Sequence, residues 1–249
     1  MSSFDYIQPR KFSIDSASRA IFKSKIDFSR KNDSEEFKIL KHLHGGKSEV
    51  LLISKPELEH PAILKVFPKT KQGLIYFHNE VKFEIFDHPN IIKQLGSKED
   101  FVMETEKGKY SGSYILMEYA PQGDLAHFIK AHKNLLDDNL IRTFFHQIID
   151  GLEHMHSKGA YHLDIKLHNL LLCDNYQLKI ADFDGSYLKS AGGEVKCRGT
   201  PNFRAPELIH GDVKDIAAVD IYSAAIVLFV LKTGGVFPFK ESENFNVIL

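Results

Sequence analysis

The chain lacks the features that mark several large classes of protein. Its 249 residues carry a net charge of −1, so no charge excess suggests a nucleic-acid, membrane-surface or strongly acidic partner. Only two cysteines occur, Cys173 and Cys197, which excludes a disulfide scaffold and is typical of intracellular proteins, although one disulfide is possible. We therefore expect neither nucleic acid nor a membrane among its partners.

Long apolar stretches are also missing. The longest, Ala224 to Leu231, has eight residues, which is far too short to span a bilayer and predicts a buried helix. The first residues contain no apolar segment of the kind that a signal peptide needs. We therefore expect an intracellular protein, located in the cytoplasm.

The pattern of the sequence changes part way along the chain. Hydrophobic residues make up 43% and charged residues 26%, ordinary values for a globular protein with a real core. Short apolar runs with turns between them are typical of strands, and they precede long stretches with helical spacing of apolar residues. The sequence thus predicts an α+β fold of two lobes with a cleft between them.

Three segments follow from this pattern. Residues 1–36 are rich in Ser, Lys, Arg and Asp and predict a flexible or loosely docked extension. Residues 37–119 predict a lobe with a sheet and one main helix, which we place at Gly73 to Phe86 from its apolar spacing. Residues 120–249 predict a mostly helical lobe.

One loop combines several groups that suit a single chemistry. The segment HLDIKLHN places the carboxylate of Asp164, the ammonium of Lys166 and the amide of Asn169 at fixed offsets, and Asp182 follows thirteen positions later. A proton acceptor, a cation and two oxygen ligands for Mg²⁺ suit the transfer of a phosphoryl group.

With the block GTPNFRAPE at residues 199–207, this loop resembles the catalytic loop of eukaryotic protein kinases of the serine/threonine type. The resemblance extends over about residues 37–239. It implies a two-lobe kinase-like fold, ATP and Mg²⁺ as cofactors, and proteins as substrates. The residues that it implies are Asp164 as catalytic base, Lys166 at the γ-phosphate, Asn169 and Asp182 as metal ligands, and Thr200 in the substrate pocket.

The resemblance also implies a nucleotide site. Lys65 in AILKVF would hold the α- and β-phosphates and pair with Glu80 of the following helix. In the family this acid lies one residue earlier, where the chain has Asn79, so either the loop after the helix is one residue shorter or the ion pair is missing. The other implied nucleotide-binding residues are Gly45 and Val50 of the glycine-rich loop, Met117 beside the back pocket, Glu118 and Ala120 of the hinge, and Asp124.

Two of these assignments have a structural alternative. Gly45 is the single family glycine in place in LHGGKSEV, and a plain hairpin turn would explain that segment equally well. Asp124 would contact the ribose or a basic substrate residue, but a helix cap is an equally good interpretation.

The chain departs from the family pattern in its regulatory residues. Leu163 replaces the Arg that binds an activating phosphate, and Lys196 stands where the phosphorylated Thr often lies. We therefore expect activity without activation-loop phosphorylation. Asp184 replaces the glycine of the metal-binding DFG motif, with Gly185 next to it as a source of backbone freedom.

A further departure concerns the helical lobe, which in the family continues for several helices. We expect an incomplete lobe in which Glu207 lacks its ion-pair partner, while Val227 and Leu231 are open to water. Asp220 resembles the buried helix acid that steadies the catalytic loop. The alternative to an active kinase is a pseudokinase-like nucleotide-binding or scaffolding module, and the sequence indicates no particular regulatory partner.

Overall fold

The computed structural model describes residues 37–44, 48–105, 108–132, 136–195 and 199–239. The predictions made for residues 1–36, Gly45 and Lys196 lie outside the described residues.

The first part of the chain forms an antiparallel sheet of five strands. They are β1 (Lys38–His44), β2 (Glu49–Ser54), β3 (Ala62–Pro68), β4 (Gln94–Thr105) and β5 (Gly108–Glu118), in the order β1-β2-β3-β5-β4. Alternate apolar side chains of these strands point to one face and are fully buried there, as the period of two in a strand requires. This inner layer includes Leu51, Ile53, Leu64, Tyr114 and Leu116.

Helix α1 (Lys71–Val81) lies between β3 and β4 in the chain and packs against β3 and β5. It begins where the Thr70 hydroxyl accepts a hydrogen bond from the Gly73 N–H. It ends five residues before the end that we predicted at Phe86. The apolar spacing was misleading here, because Leu74 and Ile85 are 41% and 53% exposed.

The second part of the chain is mainly helical. Its helices are α2 (Leu125–Ala131), α3 (Asp138–Ser157), α4 (Pro206–His210) and α5 (Ile216–Lys232). Two small antiparallel sheets join them, β6 (Ala160–Tyr161) with β9 (Tyr187–Leu188), and β7 (Leu170–Leu172) with β8 (Leu178–Ile180). The predicted α+β fold, strands first and helices second, is confirmed.

Helices α3 and α5 form the centre of the second core. Phe144, Ile148 and Leu152 of α3 are fully buried in the same apolar cluster as residues of α5. Helix α3 ends at Ser157, and Lys158 and Gly159 follow, where Gly159 takes a φ of +68°. No helix within the described ranges is long and apolar enough to cross a membrane.

Helix α5 is a buried helix, as its apolar sequence predicts, but its exposed face is not the one that we expected. Val227 and Leu231 are buried in the core with α3, so the prediction that they are open to water is wrong. Ile221 and Phe229 are exposed instead. A helix with apolar residues on nearly all sides does not show in its sequence which side meets its neighbour.

Candidate active site

The centre of the candidate site is Lys65 in the middle of β3. Its ammonium lies 2.6 Å from the Glu80 carboxylate of α1 and 3.2 Å from Asp182 Oδ1, in the segment after β8. Glu80 is 1% exposed, whereas the Asp182 side chain is 47% exposed. The ion pair that the spacing of the sequence left open is therefore present, and it joins the sheet, α1 and the helical part.

The charges of Lys65 and Asp182 stabilise each other, whereas burial raises the pKa of Glu80 above its usual value despite the nearby Lys65 ammonium. Burial alone would lower the pKa of Lys65, but the carboxylates of Glu80 and Asp182 raise it well above its usual value. Burial likewise opposes ionisation of Asp182, yet the Lys65 ammonium holds its pKa below the usual value. Lys65 is therefore a permanent cation, and Asp182 is an ionised carboxylate at neutral pH.

The catalytic-loop residues form a second hydrogen-bonded group around Asp164. Asp164 Oδ1 accepts hydrogen bonds from the backbone N–H and the hydroxyl of Thr200, at 2.8 and 2.9 Å. Asp164 Oδ2 accepts from Lys166 Nζ at 2.7 Å and from Asn169 Nδ2 at 3.3 Å. The structure thus brings these four predicted residues together and fixes the orientation of the Asp164 carboxylate.

The two groups are connected through the backbone. The Ala181 N–H, adjacent to Asp182, donates to the Asn169 carbonyl at 2.9 Å, and Asn169 Nδ2 donates to the Asp164 carbonyl at 2.9 Å. A continuous series of contacts therefore runs from Lys65 through Asp182 and Asn169 to Asp164. Lys65, Asp182, Asn169 and Asp164 lie along this series, and Lys166 donates a hydrogen bond to its last member.

Asn169 and Asp182 have the groups that a magnesium site needs. Because Asn169 donates its amide N–H to Asp164, its amide oxygen is turned away from that bond and suits a hard cation. The half-exposed Asp182 carboxylate would supply the second oxygen ligand. Within the described residues no cluster of three His, Cys, Asp or Glu side chains could hold a metal unaided.

Asp220 of α5 holds the start of the catalytic loop. It is fully buried and accepts backbone N–H groups from His162 at 2.9 Å and Leu163 at 2.7 Å. The His156 ring donates to the same carboxylate at 2.8 Å. Leu163 has a φ of +63°, which is unfavourable for a residue with a side chain, so the loop depends on these bonds.

The side chain of Leu163 lies in an apolar cluster. It is buried with Ala205, Leu208 and Val219, and Tyr187 and Val195 pack against this group. Tyr187 and Val195 belong to the segment between Asp182 and the GTPNFRAPE block at residues 199–207. In the described residues, apolar contact joins this segment to the catalytic loop at the position of the missing Arg.

The hinge residues line an apolar layer. Ala120 is buried with Ile92 and Ala181, and Met117 packs against this group. The Glu118 carboxylate accepts the Lys93 N–H at 2.7 Å and Lys179 Nζ at 2.9 Å, which anchors the end of β5.

Two further nucleotide-binding predictions can be placed in the structure. Val50 lies opposite Lys65 in the β2–β3 pairing, which puts it over the same part of the sheet. Asp124 caps α2 by accepting the His127 N–H at 2.8 Å, so the helix-cap interpretation is confirmed.

The remaining predictions concern the DFD motif and Glu207. Asp182 takes the positive φ, +66°, while neither Asp184 nor Gly185 does, so the backbone freedom that we expected of Gly185 is not used. A methyl group at Gly185 would meet nothing closer than Asp164 Cβ at 3.9 Å. Glu207 is half-buried and has no ion-pair partner in the part of the chain that is described.

Sequence reasoning missed three residues that support this site. They are His156, which bonds Asp220; Lys179, which bonds Glu118; and Gln94, which bonds the carbonyl of Glu80 at 3.1 Å. Lys179 lies between Leu178 and Ile180 in an apolar strand, which was the one signal available for it. His156 and Gln94 each have a polar neighbour, and the partners of all three residues lie far away in the sequence.

Comparisons with known proteins agree with this geometry. The model of the protein kinase domain family matches residues 36–248. The chain is 37% identical over 163 residues to CBL-interacting serine/threonine-protein kinase 24 of Arabidopsis thaliana, covering 64% of this chain and 34% of that protein. It is 35% identical over 207 residues to the probable serine/threonine-protein kinase MARK-A of Dictyostelium discoideum, covering 82% of this chain and 17% of that protein.

A third relative extends the comparison to rice. CBL-interacting protein kinase 31 of Oryza sativa subsp. japonica is 31% identical over 208 residues, which cover 80% of this chain and 44% of that protein. The chain thus spans less than half the length of each of these three relatives.

Proposed function

The chain belongs to the protein kinase domain family, and on this premise we propose that it transfers the γ-phosphate of ATP to serine and threonine hydroxyls of proteins. The observation that carries the proposal is the unbroken series of contacts from Lys65 through Asp182 and Asn169 to Asp164. It places a phosphate-binding cation, two metal ligands and a proton acceptor in one site.

In this proposal Asp164 acts on the substrate hydroxyl. The hydroxyl oxygen bonds to the γ-phosphorus, the bond from that phosphorus to the bridging oxygen of ADP breaks, and the hydroxyl proton passes to Asp164. The Thr200 and Asn169 bonds keep the carboxylate oriented for this step. Such a positioned base contributes about 10²- to 10⁴-fold to the rate.

The cations stabilise the phosphate charge. Lys65, held by Glu80, would contact the α- and β-phosphates, and Lys166, held by Asp164, would face the transferring group. Mg²⁺ held by Asn169 and Asp182 would neutralise phosphate oxygens.

We further propose that activity does not depend on phosphorylation of the segment after Asp182. Support comes from Leu163, which is buried in apolar contact with the cluster against which Val195 packs. A cluster of this kind holds the segment without a phosphate, whereas a phosphate would need the absent Arg.

The test of the proposal is Mg-ATP turnover on a generic protein substrate by the wild-type protein and the Asp164→Asn variant. We expect phosphoserine and phosphothreonine from the wild type, and a rate at least one hundredfold lower from the variant. Equal signals from the two proteins would overturn the proposal. An obligatory phosphate between Ser186 and Arg198, seen by mass spectrometry of active protein, would overturn its regulatory part.

A nucleotide-binding module without catalysis is the second candidate. Asp184 favours it, because an additional carboxylate next to the metal ligand Asp182 changes the charge at the metal site. This candidate predicts saturable binding of Mg-ATP without transfer of phosphate.

A further inference from the structure

We infer that Gln94 is a positioning residue that holds Glu80 in place for its ion pair with Lys65. The inference rests on the proposed function, because it concerns the residue that orients the phosphate-binding cation. Gln94 is the first residue of β4, is 6% exposed, and donates from Nε2 to the Glu80 carbonyl at 3.1 Å. The nitrogen must be the atom that faces this carbonyl, because two oxygens there would repel each other.

The carbonyl that Gln94 bonds lies where α1 stops. In a continuing α-helix the Glu80 carbonyl would accept the N–H of residue 84. Here it accepts the Phe83 N–H at 3.1 Å, and the Glu84 N–H goes to Val81. The helix therefore tightens at Glu80, and Gln94 provides this carbonyl with a side-chain donor in addition to the backbone donors.

This tightening accounts for the spacing discrepancy in the sequence. The chain has one residue fewer than the family pattern between the helix glutamate and His88-Pro89. Ending the helix at Val81, one residue past Glu80, fits this shorter connection, and the turn that follows still places Phe83 against Phe183 at 5.4 Å between ring centroids. Gln94 thus bonds the point at which the connection has been shortened.

Stability alone does not explain a glutamine at this position. Gln94 Oε1 is buried and finds no hydrogen-bond partner among the described residues. An unpaired buried oxygen is unfavourable, and an apolar residue of the same length would avoid it. The benefit of glutamine at this site is therefore its N–H bond to Glu80.

The backbone position of Gln94 is also fixed by strand pairing. It pairs with Met117 in the β4–β5 register, next to the apolar layer of the hinge. Movement of Glu80 relative to the sheet would break the Gln94 bond, so the bond couples the end of α1 to β4, which pairs with the strand that carries the hinge.

The test is the Gln94→Met variant, which keeps the length of the side chain and removes the donor. We expect a KM for ATP raised roughly threefold to tenfold with a lower kcat, as the loss of one buried hydrogen bond to the Glu80 backbone implies. We expect a melting temperature equal to or above that of the wild type, because the unpaired oxygen is gone. Gln72→Met, at an exposed position on the helix that carries Glu80, is the matched control and should change none of these values.

A double-mutant cycle shows whether Gln94 acts through Glu80. If it does, adding Gln94→Met to Glu80→Gln changes ATP affinity by less than twofold, whereas independent effects would multiply. Multiplied effects, an unchanged KM in the single variant, or a fall in kcat that only follows a lower melting temperature would each overturn the inference. Wild-type protein that binds ATP without transferring phosphate would overturn the proposed function instead, and the ATP dissociation constants would still decide the role of Gln94.

Discussion

Replacement of Asp220 by alanine should destabilise the protein more than the loss of most single side chains. The carboxylate is fully buried and accepts the N–H groups of His162 and Leu163 as well as the His156 ring. Alanine leaves two backbone N–H groups buried without a partner, at about 1–3 kcal/mol each, or roughly 2–6 kcal/mol in total. That is a large share of the ~5–15 kcal/mol that stabilises a typical domain.

Loss of the Asp220 carboxylate should also lower the rate of phosphate transfer. Leu163 keeps its φ of +63° while its N–H is held, and it directly precedes Asp164. Without that bond the loop relaxes, and the Asp164 carboxylate moves away from Thr200. We therefore expect the rate of phosphate transfer to fall at temperatures where the Asp220→Ala variant is still folded.

Thermal unfolding followed by circular dichroism measures the loss of stability in Asp220→Ala. At ~2–4 °C per kcal/mol for a chain of this size, the melting temperature of Asp220→Ala should fall by roughly 5–20 °C. The melting temperature of Asp220→Asn, which retains one acceptor oxygen, should fall by less. Asp212→Ala removes an exposed carboxylate just before the same helix and is the control. A melting temperature for Asp220→Ala within 1–2 °C of the wild type (about 0.5 kcal/mol) would refute this reasoning.

Two other predictions follow from backbone geometry and from histidine burial. Gly199→Ala should lower the transfer rate at least about tenfold, because its Cβ would lie 2.6 Å from the Leu163 carbonyl and displace Thr200; Gly211→Ala, also at positive φ but with nothing within 4 Å, should leave the rate unchanged. Burial and the neighbouring His154 lower the pKa of His88 from 6.5, so the unfolded chain takes up a proton first as the pH falls. The melting temperature should therefore fall between about pH 7.5 and pH 5.5, and fall less in His88→Gln than in the exposed control His60→Gln; equal falls would contradict this.

The general fold could be predicted because each lobe has its own period of apolar residues. Alternation in β2 and β3 and the helical stripe of α3 each point to one buried face, and the structure has those faces. The apolar spacing does not predict the end of α1, where Gln94 donates a hydrogen bond to the Glu80 carbonyl. Val227 and Leu231 of α5 were expected to be open to water because the lobe was expected to be incomplete, but they are buried in the core with α3.

The candidate site could be predicted as far as its residues lie in one loop. Fixed offsets between Asp164, Lys166 and Asn169 restrict where these side chains can lie. The partners of Glu80 and Glu118 could not be predicted, because Gln94 and Lys179 come from other elements and meet them only after the sheet and helices pack.

The central claim is that this site transfers phosphate although the protein itself is not phosphorylated. The most direct measurement is the initial rate of γ-phosphate transfer to protein serine and threonine by wild-type protein from which all phosphate has been removed. We predict a rate within about twofold of the untreated protein from the first turnovers, and a loss of roughly 10²- to 10⁴-fold in the equally treated Asp164→Asn variant. No transfer by the treated wild type, or equal transfer by the variant, would contradict this account.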